Sequence, residues 1–190
     1  MAMPASVPRY WTPADVLAEF PEGSGTRHEC IDGELFVTSA KRTAHAIAVQ
    51  RLARLLSRAI EADDQLPRVI VLLADLRLTA DSLVQPDLFV LPAPLSADAR
   101  WEDLPRPILI IEVLSPSTAH VDRGRKRHLY QRAGVPAYWI VDLDARCVER
   151  WTPSSEAADV KTGTLQWVDP VSDATVDIDL AALFASVLDG

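Results

Sequence analysis

Residues 108–114 read Ile-Leu-Ile-Ile-Glu-Val-Leu, a strand-length apolar run with one carboxylate inside it. An apolar residue at nearly every position predicts a strand covered on both faces at the centre of a sheet, not one with a solvated side. Alternation puts Glu112 on one face with Ile110 and Leu114, and Ile111 and Val113 on the other. An ionised carboxylate in that position costs several kcal/mol unless something positive compensates it. The fold therefore has to deliver a cation, whether a lysine, an arginine or a metal ion, to the middle of its central strand. A satisfied structural ion pair and a chemical site both meet that demand, so the remaining residues must distinguish them.

The chain has 190 residues, 48% of them hydrophobic, which predicts one globular domain over 1–190. No apolar run reaches the ~18 residues of a membrane helix. The start, MAMPASVPRYW, lacks the basic and apolar regions of a secretion signal, so the expectation is a soluble, cytoplasmic protein with no membrane partner. Cys30 and Cys147 stand apart from any metal-type pair spacing, which argues against a zinc ribbon and a disulfide framework. The net charge of −8 opposes binding to nucleic acid. The charge is uneven, however. Lys41, Arg42, Arg51, Arg54 and Arg58 fall in a stretch without acids, and Arg123, Arg125, Lys126, Arg127 and Arg132 face only Asp122. An acidic body with two basic helices can still meet a polyanion locally, although two solvated helix faces would look the same.

Element signals run the length of the chain. Thr12, Pro13 and Asp15 predict a capped helix over 12–20. Asp32-Gly33 predicts a hairpin between two strands in 27–38. Ala44, Ile47, Ala48, Leu52, Leu55, Leu56 and Ala59 recur at helical spacing over 43–60. Two β-rich stretches follow at 68–79 and 84–91, with Pro86 near the start of the second. The four-proline segment 92–107 should be an exposed loop. A helix is expected over 118–133, ended by Gly134 and Pro136. A hairpin over 137–151, a strand near 164–168 and a helix over 180–188 complete an α/β fold with a mixed central β-sheet flanked by helices.

Two residues are natural partners for Glu112. Asp87 follows Pro86 at the head of a β-rich stretch, and two carboxylates on adjacent strands can share one hard divalent ion. A turn or strand-start aspartate is the plainer alternative. Lys126 shares a helical stripe with Asp122, Leu129, Tyr130 and Ala133, and so faces the sheet. A simple Asp122–Lys126 helix pair, worth ~0.3–0.5 kcal/mol, would not require the lysine to join an apolar stripe, whereas a lysine laying its stem along apolar surface with its head in water would.

The ordered segments ECIDGELFV, His45 in the next helix, VQPDLFVLP, LIIEVLSPST and DRGRKRHLYQRAGVPAYWIVD resemble the restriction endonuclease family of Uma-two type, a branch of the PD-(D/E)XK nuclease superfamily. The resemblance spans about 12–185. It implies a restriction-endonuclease-like fold and a Mg²⁺- or Mn²⁺-dependent site. In that site Asp87, Glu112 and Lys126 are catalytic, and Asp87, Glu112 and the Val113 carbonyl are metal ligands. Leu114 stands where the superfamily's adjacent lysine is expected, and Lys126 fits the migrated position on the following helix. Glu34, His45, Gln85 and Asp122 are implied as accessory residues. Arg123, Arg125 and Arg127 are candidates for phosphate contact. Ala137 departs from the pattern where a glutamate precedes Tyr-Trp, and Cys30 replaces an aliphatic residue.

The implied chemistry is phosphodiester hydrolysis, with DNA as the expected substrate and a homodimer as a way to act on two strands. The alternative is a module with reduced chemistry that keeps the fold and binds nucleic acid or a protein partner. A buried ion network with no chemistry is the third possibility.

Overall fold

The structure is a computed structural model that describes residues 9–20, 26–38, 43–61, 68–92, 95, 96, 98, 99 and 104–189. Lys41 and Arg42 of the first basic stretch, and much of the segment 92–107, lie outside the described residues.

The expected α/β order is present. α1 (Pro13–Glu19) begins in the capping box read from the sequence: Asp15 N–H donates to Thr12 Oγ1 at 3.2 Å and Thr12 N–H to Asp15 Oδ2 at 2.9 Å. β1 (Arg27–Ile31) and β2 (Glu34–Thr38) form the expected hairpin. Its turn has positive φ at both Asp32 (52°) and Gly33 (81°), the handedness that matches the twist of the strands. A Cβ at Gly33 would meet the Tyr10 ring at 2.1 Å. That ring is more than half exposed and can swing aside, so the backbone penalty dominates. Gly33→Ala should cost about 1–2 kcal/mol, seen as a lower urea midpoint with an unchanged m-value.

The expected stretch 68–79 divides in two. β3 (Arg68–Leu72) and β4 (Leu76–Thr79) belong to different sheets, and Leu73, at φ 51°, turns the chain between them. The expected strand 84–91 likewise resolves into β5 (Ser82–Val84) and β6 (Leu88–Pro92), separated at Pro86. β7 (Leu109–Val113) is buried at every position, as its composition requires. It lies antiparallel to β6 and parallel to β8 (Ala137–Asp142). β9 (Cys147–Trp151) pairs with β8, and two unforeseen strands follow: β10 (Asp159–Lys161) on the sheet edge and β12 (Thr175–Asp179) beside β11 (Thr164–Val168). The sheets are β2-β1-β5-β4, β10-β9-β8-β7-β6-β3 and β11-β12.

Helices cover both faces of the large sheet. On one side α2 (Thr43–Glu61) and α5 (Leu180–Leu188) pack Leu52, Leu56, Leu183 and Phe184 with Leu109, Ile111 and Val113. On the other, Ile110 meets Leu129, Tyr130 and Tyr138. Glu112, in phase with Ile110, points to this second side, where the helix between β7 and β8 runs. That helix is not α-helical throughout: α3 (Ala119–Val121) passes into a π turn over Asp122–Lys126 and then into α4 (Arg127–Arg132). Across the π turn Lys126 Nζ lies 3.7 Å from Asp122 Oδ1, and the hydroxyl of Tyr138 donates to the Asp122 carbonyl at 3.1 Å. Among the described residues, no helix is long and apolar enough to cross a membrane.

Candidate active site

The register of β6 against β7 pairs Leu88 with Ile111, so Asp87, one residue earlier, comes level with Glu112. The Val113 N–H donates to Asp87 Oδ2 at 2.9 Å, tying the two strands at this point. Both carboxylates are fully buried. Each has a protein cation. Arg27 reaches Asp87 Oδ1 with Nη2 at 3.0 Å, and its Nη1 stands 4.0 Å from Glu112 Oε2. Lys126 Nζ donates to Glu112 Oε1 at 2.9 Å and to Glu29 Oε1 at 2.8 Å, and lies 3.7 Å from Asp122 Oδ1. Tyr130 donates its hydroxyl to Glu112 Oε1 at 3.2 Å. His45 Nε2 is 2.9 Å from Asp87 Oδ2.

Asp87, Glu112, Lys126, His45 and Asp122, singled out in the sequence, thus meet in one buried cluster. Its charge balance fixes its chemistry. Burial by itself would lower the Lys126 pKa, but Glu112, Glu29 and Asp122 outweigh it and hold the value well above the ordinary lysine range. Lys126 is therefore an ammonium near neutral pH in the metal-free protein. Arg27 is raised as well, because Asp87, Glu112 and Glu29 outweigh the cost of its burial. Burial first, then Glu112, Glu29 and Asp122, push the Tyr130 hydroxyl well up, so it stays a neutral donor.

Two members of the cluster were not among the expected residues: Arg27 and Glu29, which alternate on one face of β1. The acid of the hairpin that reaches the site is Glu29, not Glu34. Glu34 is exposed on β2, where it pairs with Arg125 at 3.0 Å. Gln85 acts through its backbone, whose N–H donates to Glu29 Oε1 at 2.7 Å, while its side-chain amide turns to Asp75 at 3.4 Å. The three arginines expected to hold phosphate have intramolecular partners instead. Arg123 bonds Glu149 at 2.7 Å and Asp142 at 2.8 Å, Arg125 holds Glu34, and Arg127 lies over the Trp151 ring and donates to the Arg123 carbonyl. A depression of about 330 Å³ borders the cluster at His45, with Leu114, Ser115, Ala119 and Arg123 along its wall.

Residues 14–181 match the Uma2 family, described as "Putative restriction endonuclease". The chain belongs to the Uma2 family. Its fold is similar to that of the crystal structure of a "putative nuclease belonging to DUF820" from Anabaena variabilis ATCC 29413. The two agree at a TM-score of 0.75 with 18% identity, over 92% of this chain and 98% of that one. No curated protein matches the chain. The Uma2 chain therefore has a restriction-endonuclease-like fold, a mixed sheet with helices on both faces, and belongs to a nuclease family. Within that fold the buried cluster joins the start of β6, the middle of β7, the head of β1 and the π turn.

Proposed function

We propose that the chain is a Mg²⁺- or Mn²⁺-dependent nuclease that hydrolyses phosphodiester bonds of DNA. The observation that carries this reading is the level placement of Asp87 and Glu112 on adjacent strands, with one guanidinium reaching both. A position already stabilised for a positive charge by two buried carboxylates suits a small dication. Among the described residues no three His, Cys, Asp or Glu side chains converge as a metal group. The fit is thus to an ion that takes few protein oxygens and fills its remaining sphere with water and phosphate, as Mg²⁺ does. Asp87, Glu112 and the Val113 carbonyl would hold it. A bound ion supplies Lewis-acid polarisation of the phosphate and acidifies the attacking water.

The chain's own groups do the rest. Lys126, locked as an ammonium, orients the water by hydrogen bonding and stabilises negative charge developing on the phosphate oxygens, a role that needs a fixed charge and no proton transfer. Tyr130 and Glu29 hold Glu112 and Lys126 in place. Backbone phosphates away from the reacting bond would meet Arg51, Arg54 and Arg58, which form no ion pair with any described residue and line a groove of about 420 Å³ along α2.

Purified protein incubated with plasmid and single-stranded DNA, with Mg²⁺, Mn²⁺ or EDTA, tests the proposal. Cleavage should require the metal and disappear in Glu112→Gln. Lys126→Ala should lower the rate by about 10²–10³-fold, the size expected when one preorganised charge-stabilising donor is lost. Metal-independent cleavage, or cleavage by Glu112→Gln at the wild-type rate, removes the proposed site. The alternative is a module with reduced chemistry, and one observation favours it: Asp87 and Glu112 already have protein cations against them. It predicts DNA binding without metal-dependent cleavage.

A further inference from the structure

We infer that Arg27 is a resident counter-ion that a substrate phosphate draws off, so that divalent metal and nucleic acid bind this site cooperatively. The inference rests on the nuclease reading above. A dication placed between Asp87 and Glu112 would share two carboxylates with a guanidinium, and the like charges would repel at contact distance. Among the described residues Arg27 and Lys126 are the permanent cations of the cluster; one of them must yield, and the structure distinguishes them. Lys126 is held by three carboxylates and its side chain is almost wholly buried. Arg27 touches two carboxylates, stands at the first residue of β1, and keeps 11% of its side chain exposed, against 0–1% for the carboxylates it spans.

Withdrawing Arg27 strands a charge unless a new partner waits outside. A phosphodiester is such a partner, since the guanidinium fork matches two phosphate oxygens. A bound phosphate therefore removes the competitor from between Asp87 and Glu112. Linkage makes the effect reciprocal: metal must raise phosphate affinity by the factor by which phosphate raises metal affinity. A purely structural Arg27 would stabilise the fold but leave this coupling untouched.

Free Mn²⁺ measured by electron paramagnetic resonance tests the inference on wild type, Arg27→Gln and Arg27→Lys. Each protein is titrated alone and with a saturating phosphorothioate DNA duplex, after subtracting metal taken up by the duplex itself, and circular dichroism reports which proteins are folded. Wild-type affinity for Mn²⁺ should rise about tenfold or more with the duplex. Arg27→Gln should bind Mn²⁺ about tenfold more tightly than wild type without duplex, and the duplex should then add little. Arg27→Lys, which keeps the charge but not the two-pronged reach, should show reduced coupling. The inference is overturned if wild type shows no coupling, if Arg27→Gln binds Mn²⁺ no more tightly than wild type, or if either folded variant keeps the wild-type coupling. Should Arg27→Gln fail to fold, the coupling in Arg27→Lys decides. If none of the proteins binds Mn²⁺ with or without duplex, the nuclease reading itself fails and takes this inference with it.

Discussion

Lys126→Met should be among the most destabilising single substitutions in the chain, at about 3–5 kcal/mol near neutral pH. The reason is a count of charges, not the loss of one bond. Among the described residues the cluster holds four carboxylates, on Glu29, Asp87, Glu112 and Asp122, against the permanent cations Arg27 and Lys126, with His45 beside Asp87. Methionine fills much the same volume as the lysine stem but leaves Glu29, Glu112 and Asp122 together without their shared ammonium. For a chain of this size the thermal midpoint should fall by about 6–20 °C. The pH dependence separates this cause from a packing defect. In wild type the raised Lys126 pKa contributes stability that is fully present below the ordinary lysine value of ~10.4. That contribution is lost only as pH climbs through the higher folded value. It is flat between pH 5 and 8. The deficit of the variant relative to wild type should therefore hold between pH 5 and 8 and narrow only as pH rises above the ordinary lysine value. A deficit that does not narrow on that alkaline rise would mean that lost packing, not the lost ammonium, is the cause.

The same charge count explains how much of the site was legible in the sequence. Glu112 was legible because an acid inside a two-faced apolar strand is a conflict that only tertiary structure can resolve, and β7 is buried at every position. Lys126 was legible because a lysine on the stripe of Leu129 and Tyr130 has to face the sheet, and it does. Arg27 and Glu29 were not. Their alternation along β1 is as common on a solvated strand as on a buried one, and nothing local reveals that the side chain of Arg27 reaches Asp87 and Glu112 from another sheet. Glu34 was implied by the family resemblance instead, yet its side chain is exposed and pairs with Arg125. The π turn was equally hidden, because Asp122 and Lys126 at a separation of four satisfy an α-helical reading as well. Among the strands, β12 carried the alternation of Val176 and Ile178, but its interleaved aspartates lowered its β-propensity, and β10 is three largely exposed residues on an edge.

Glu112→Gln should behave in the opposite way to Lys126→Met: little change in the stability of the metal-free protein, and loss of its response to metal. If Glu112 and Lys126 were an isolated buried pair, removing the acid would cost about 3–5 kcal/mol by stranding the ammonium. They are not isolated. With Glu112 neutral, Lys126 keeps Glu29 at 2.8 Å and Asp122 at 3.7 Å, and Arg27 keeps Asp87 at 3.0 Å. Among the described residues the variant sets Glu29, Asp87 and Asp122 against Arg27 and Lys126, a closer balance than wild type. The glutamine oxygen can still accept from Lys126 and Tyr130, at the lesser strength of a neutral acceptor. These opposing changes should leave the metal-free variant within about 1 kcal/mol of wild type. The metal response has no such compensation. Wild type at a Mg²⁺ or Mn²⁺ concentration about 100-fold above its dissociation constant gains about 2.7 kcal/mol, a rise of roughly 5–10 °C in melting temperature. With one of two carboxylate ligands neutral, that rise should largely vanish. Thermal unfolding of both proteins, each with EDTA and with metal, reads both quantities at once. A loss of several kcal/mol in EDTA together with an unchanged metal-induced rise would show that Glu112 is a structural counter-ion and that metal, if bound, sits elsewhere.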